Sequence, residues 1–209
     1  MRMVRGNYQK IFGVENKKIS IAVISNKMDL IRNYSEFVDS CDLVFRSGKM
    51  CNIDSGKSGT RIDLVLLPLF SKYYCFSRKR RHVKEIQERA KHIGLFNRDW
   101  QFKEANNYFN SEKLSDIPVI IFPKGGYYDN SCTTINKLLY FAVSEFPLAT
   151  VYFLGDISCG VRIDWVNWHN IKEDDEFIRE AINNKRIVHI LEDGLDDCDC
   201  VYSTIFSEN

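Results

Sequence analysis

Along the chain, short apolar runs alternate with longer stretches in which apolar residues return every three or four positions. "KISIAVIS" (18–25), "CDLVFRS" (41–47) and "RIDLVLLP" (61–68) are rich in β-branched and bulky apolar residues and read as strands. In "RRHVKEIQERAKHIGL" (80–95) the period changes: Val83, Ile86, Ala90 and Ile93 share a helical face, with Gly94 as a stop signal. "QFKEANNYFNSEKL" (101–114) predicts a weaker helix, and "IPVIIFP" (117–123) a buried strand between two prolines. The clearest helix is "TTINKLLYFAVSEFP" (133–147), where Ile135, Leu138, Leu139, Ala142, Val143 and Phe146 make one face and Pro147 ends it. "ATVYFLGDI" (149–157) is a strand closing on Gly155, "EDDEFIREAINN" (173–184) a helix with acids in its first turn, and "KRIVHIL" (185–191) a last strand. Strands alternating with helices predict an α/β fold, with a mostly parallel central sheet and flanking helices.

With 209 residues, 44% of them apolar, the chain can build one sizeable core, so residues 1–209 are taken as a single domain. Lys and Arg total 29 against 28 Asp and Glu, a net charge of +1, which leaves no footprint for nucleic acid. One local exception is "SRKRRHVK" (77–84), either the solvated start of a helix or a patch for a membrane surface or anionic acceptor. Seven cysteines include no Cys-x-x-Cys pair and no zinc spacing, so they read as reduced thiols of a cytoplasmic protein. The first residues have no apolar core of a signal peptide, and no run reaches the roughly 20 apolar residues of a membrane span. Membrane contact is therefore expected to be peripheral at most.

The stretch "SGKMCNIDSGKSGT" (47–60) ends like a phosphate-binding loop. A P-loop needs a first glycine where this chain has Cys51, and a helix after the Ser. The segment after Ser58 reads instead as a strand, so there is no helix N-terminus to hold phosphate and the stretch reads as a loop joining two strands.

Set in its surroundings, that loop belongs to a longer pattern. Ser25-Asn26, Asp39-Ser40-Cys41-Asp42, Val44-Phe45-Arg46 and Gly59-Thr60-Arg61-Ile62-Asp63 together resemble the large motif of the sialyltransferase superfamily. "SCTTINKLLYFAVSEFPLATVYFLGDI" is similar to that family's small motif, and "NWHNIKEDDEFIREAINNKRIVHI" to its C-terminal motif, where a His precedes an acidic residue by four or five positions. The three pieces stand in family order over about residues 18 to 191. Two positions depart: Gly48 stands where the family usually has Asn, and Ile135 where it has Gly after the Thr pair.

The resemblance implies a Rossmann-like GT-A-variant fold, with residues 70–115 as a helical insertion on the acceptor side. It implies an inverting glycosyltransferase that moves an acidic sugar (sialic acid or Kdo) from a CMP donor to a glycan or glycolipid hydroxyl, in polysaccharide biosynthesis. No cofactor beyond the CMP-sugar substrate is implied, and no metal; the Asp197-Cys198-Asp199 triplet reads as a solvated tail. Such a hydroxyl needs a general base of near-neutral pKa, and His169 in "WVNWHN" matches the family's histidine. Ser25, Asn26, Arg46, Thr133, Thr134, Gly155 and Asp156 match its donor side. Thr133 and Thr134 could equally cap a helix, and Asn26 could equally be a turn residue. Tyr127 and Tyr128 are either loop aromatics or phenols for the departing phosphate. His82 and His92 read as solvated, and His189 as a core residue. Two other readings remain: a relative that has kept the fold and lost donor binding, and an unrelated ATP- or GTP-binding enzyme built on residues 47–60.

Overall fold

The computed structural model describes residues 2–25, 30, 32–48, 53, 56–67, 81–96, 102, 105, 107, 109–110, 113–125, 128, 134–155 and 171–190, without the side chains of 81–82 and 171–175. In chain order the elements are β1 (Met3–Val4), α1 (Tyr8–Ile11), β2 (Ile19–Ile24), α2 (Ser35–Ser40), β3 (Leu43–Ser47) and β4 (Leu64–Leu66). After these come α3 (Arg81–Arg89), β5 (Ile93–Leu95), β6 (Val119–Ile121), α4 (Thr134–Glu145), β7 (Ala149–Leu154), α5 (Ile171–Asn183) and β8 (Ile187–Ile190). The strands form one 8-stranded sheet in the order β1-β6-β5-β4-β3-β2-β7-β8. Every pairing is parallel. This is a Rossmann-like α/β fold.

Strand alternation sorts the core onto two faces. On one face Ile21 and Val23 of β2, Phe45 of β3, Leu64 and Leu66 of β4, and Val151 and Phe153 of β7 pack against Tyr8 of α1, Leu138, Leu139, Phe141 and Ala142 of α4, and Ile178 of α5. On the other, Val65, Ile93, Val119 and Ile121 meet Ile86 of α3 together with Ala105 and Phe109. There Ala22, Ile24, Val44 and Leu154 meet Val38 of α2. The buried strands read as continuous apolar runs because both of their faces are covered.

Two expectations about the elements need correction. The stretch 80–95 is not one helix: α3 ends at Arg89, and Ile93–Leu95 is a strand that Lys91 and its neighbours lead into. Residues 70–115 are therefore not simply an insertion, because they supply β5, which lies inside the sheet between β4 and β6. Phe102, Ala105, Asn107, Phe109 and Asn110 are helical, as their spacing predicts.

His92, expected in solvent, is half-buried beside the Phe12 ring, 4.8 Å between centroids. Its Nδ1 lies 3.1 Å from the Asp63 carbonyl, which can only accept, so Nδ1 carries the proton. Burial holds this imidazole below its ordinary pKa of 6.5, the Asp63 contact opposing. As pH falls below 6.5 the unfolded chain takes up the proton first, so stability is lost between that value and the lower folded pKa. The midpoint of thermal unfolding should thus drop between neutral and mildly acid pH. His92→Asn, which keeps a donor near Nδ1 and does not titrate, should remove part of that slope; an identical slope in both proteins would refute the assignment.

Candidate functional site

In an open parallel sheet, ligands bind outside the C-terminal ends of the strands where the strand order reverses. Here the chain leaves β2 toward β3 and the β6 side, then returns to lay β7 on the other flank of β2. The reversal point is the pair β2/β7, in register from Ile19 opposite Ala149 to Ile24 opposite Leu154. The next residues are Ser25 and Gly155. The Ser25 amide donates to the Leu154 carbonyl at 3.0 Å, carrying the ladder one step past the strands. Gly155 has φ +148°, and a Cβ there would land inside the Ser25 side chain. Only glycine allows this approach. Gly155→Ala should therefore destabilise the fold and disturb the reversal point, by about 2 kcal/mol or more in denaturant unfolding. Ser25→Gly in the same chain should recover part of the loss, and the absence of recovery would place the cost elsewhere.

His189 of β8 reaches the same point. It sits opposite Phe153, stacks on that ring at 5.1 Å and 17°, and brings Nε2 to 2.7 Å from the Gly155 carbonyl. α4 contacts β2, β3 and β7 on this face and leads into β7, so it runs against the strand direction. Its first turn, with half-buried Thr134, therefore stands at the C-terminal edge of the sheet. Asn136 and Lys137 in that turn are buried. The Lys137 ammonium donates to the Tyr128 carbonyl at 2.9 Å and lies 4.5 Å from the Phe96 ring centroid. Lys137, the one lysine of this helix and set beside its apolar face, was the available signal for this feature, and sequence reasoning passed over it, as it did the reach of His189.

The remaining expected site residues divide. Asn26, Thr133, Asp156, Tyr127, His169 and the Asp197–Asp199 triplet lie outside the described residues. Tyr128 is not a free phenol at a crevice: its ring is buried against Phe122 and Tyr140. Burial first, then the nearby Glu145 carboxylate, raises its pKa far above the ordinary tyrosine value. Arg46, matched to the donor side, is also corrected. Its side chain is buried, and it donates from Nε to the Arg61 carbonyl, from one terminal nitrogen to Ser58 Oγ, and from the other to the carbonyls of Ser58 and Gly59. Burial lowers its pKa to about 10, which leaves it charged at neutral pH. Its donors hold the 56–61 loop, and the side chain is closed off from solvent.

The acidic residues of the large-motif pattern act in the same way. Asp39, in α2, accepts the backbone amides of Thr60 and Arg61, each at 3.0 Å. Gly59, at φ +72°, leaves room for that carboxylate, which a Cβ would strike. Arg61 donates to the carbonyls of Asp39, Cys41 and Asp42 and to the Asp63 carboxylate. Asp63, almost fully buried, also accepts the Val44 amide at 2.8 Å and pairs with Lys91 at 2.7 Å. Asp42 accepts the amide and hydroxyl of Ser20, which holds its carboxyl below the usual range. The Lys57 ammonium donates to the Leu30 carbonyl at 2.7 Å. The glycine-rich stretch does cradle an anion, but that anion is the chain's own Asp39. β4, not a helix, comes after the stretch, which removes the basis for an ATP or GTP site there.

Among the described residues no three His, Cys, Asp or Glu side chains are grouped to hold a metal ion. Among them, too, no helix is long and apolar enough to cross a membrane. No protein-family model, no curated protein and no solved structure matches this chain.

Proposed function

We propose that the chain is an inverting, sialyltransferase-like glycosyltransferase that uses a CMP-activated acidic sugar, sialic acid or Kdo, and a glycan or glycolipid acceptor. The observation that carries this reading is the β2/β7 reversal point, where Gly155 lets the two strand ends close on each other against the Ser25 side chain. In open parallel sheets ligands bind at such a place. The order of the three sequence pieces supplies the choice of CMP over other nucleotides. In this scheme Ser25, Asn26, Gly155 and Asp156 border the nucleotide. Thr133 and Thr134 offer hydroxyl and N–H donors to its phosphate at the start of α4.

The acceptor oxygen attacks the anomeric carbon, the bond from that carbon to the CMP phosphate oxygen breaks, and the electron pair leaves with CMP. His169 takes the acceptor's proton. The charge growing on the phosphate is met by N–H and hydroxyl groups, without a metal. The protein would act in the cytoplasm, at a membrane surface at most, with no nucleic-acid partner. One observation favours the alternative of a relative without donor binding: Ile135, where the family has Gly, is a half-buried side chain packed against the main core.

Calorimetric titration with CMP, against ATP plus magnesium, tests the proposal. CMP binding weakened by Thr134→Ala, with sugar transfer abolished by His169→Ala, is the expected result. ATP binding alone would overturn it, and binding of neither would leave the non-catalytic relative.

A further inference from the structure

We infer that His189 is a positioning residue of the switch-point crevice: it holds the Gly155 carbonyl and so fixes the peptide that a ligand must approach. This rests on the reading of the crevice as a nucleotide site. The Gly155 carbonyl can only accept, so the 2.7 Å contact makes Nε2 the protonated nitrogen of His189. The ring cannot swing freely, because it is stacked on Phe153, its neighbour across the β7/β8 pair.

Gly155 needs such a tether more than other strand-end residues do. Without a side chain it is a permissive point of the backbone, and its φ of +148° belongs to no regular strand. On one side the Ser25 side chain limits it by contact. Its carbonyl, which defines the plane of the peptide leading to residue 156, is held by His189. An edge strand, β8, is thereby coupled to the reversal point one strand away.

Two variants separate the donor from the ring. His189→Phe keeps the stack on Phe153 and loses the donor. His189→Gln loses the stack and keeps an N–H of similar reach. Each is compared with the parent by amide hydrogen exchange at Ser25 without ligand, and by the Kd for CMP. Loss of the donor should speed Ser25 exchange and raise the Kd about fivefold each, as for one hydrogen bond. His189→Gln should stay within about twofold of the parent in both, while its thermal midpoint falls through lost packing. Parental exchange and Kd in His189→Phe would overturn the assignment, and so would equal impairment in both variants. If the parent itself takes up no CMP, the transferase reading fails, and the Ser25 exchange rates alone decide the role of His189.

Discussion

Asp63→Ala is expected to cost about 3 kcal/mol or more of folding free energy, within the range for removing one partner of a buried ion pair. The side chain is 2% exposed and holds three groups from three segments: the Val44 amide of β3, Arg61 ahead of β4, and Lys91 ahead of β5. Arg61 and Lys91 keep part of their side chains in water and can be rehydrated, with side-chain exposures of 33% and 66%. The Val44 amide cannot, since the residue is fully buried, and an orphaned donor there carries its whole desolvation cost. In urea the midpoint should fall by about 1 M or more, given slopes of about 1–3 kcal/mol per molar. Asp42→Ala, which removes an exposed carboxylate from Ser20, serves as the contrast at about 1 kcal/mol. A loss for Asp63→Ala no larger than that would show that the network has other support.

The second large effect is expected at Arg46. Arg46→Met keeps a long apolar stem but removes every donor to the carbonyls of Ser58, Gly59 and Arg61. At about 1 kcal/mol or more for each stranded acceptor, roughly 3 kcal/mol is lost, less whatever the loop regains by turning to solvent. That rescue has a visible consequence: residues 56–61 should become the first site of limited proteolysis. Arg46→Lys should fare little better, because one ammonium cannot span acceptors that a planar guanidinium meets along two edges. A lysine variant as stable as the parent would refute this account of the loop.

Both residues show why the pattern could be read and its purpose could not. The acidic and basic positions of the first motif were visible as a series, yet the groups each one touches lie across the fold. Asp39 finds the amides of Thr60 and Arg61, and no spacing rule ties a helix residue to a loop so far along the chain. Arg46 was matched to the donor side through the family motif, whereas the returning loop covers it. The strands were legible because two covered faces demand unbroken apolar runs, as in "IAVI" and "LVF". β5 was not, since Ile93 fits a helical face as well as a three-residue strand. β1, two residues long, carries no period at all. Ser25 and Gly155 were named from the sequence, but only the pairing of β2 with β7 explains why a glycine must stand there.

The place of β7 also bears on how the protein is made. β2 gains β3 as a neighbour almost as soon as it leaves the ribosome, but its other neighbour is a strand from residues 149–154. Until that segment has been synthesised, the nascent chain carries β2 with one row of unpaired amides and carbonyls, on a strand whose Ile21 and Val23 are apolar enough to invite foreign strands. The late closure of this long-range pair makes the reversal point among the last parts of the sheet to form. A fragment ending before residue 149 should accordingly be captured by chaperones or aggregate, and the approach of Ser25 to Gly155 should form only when translation has passed β7.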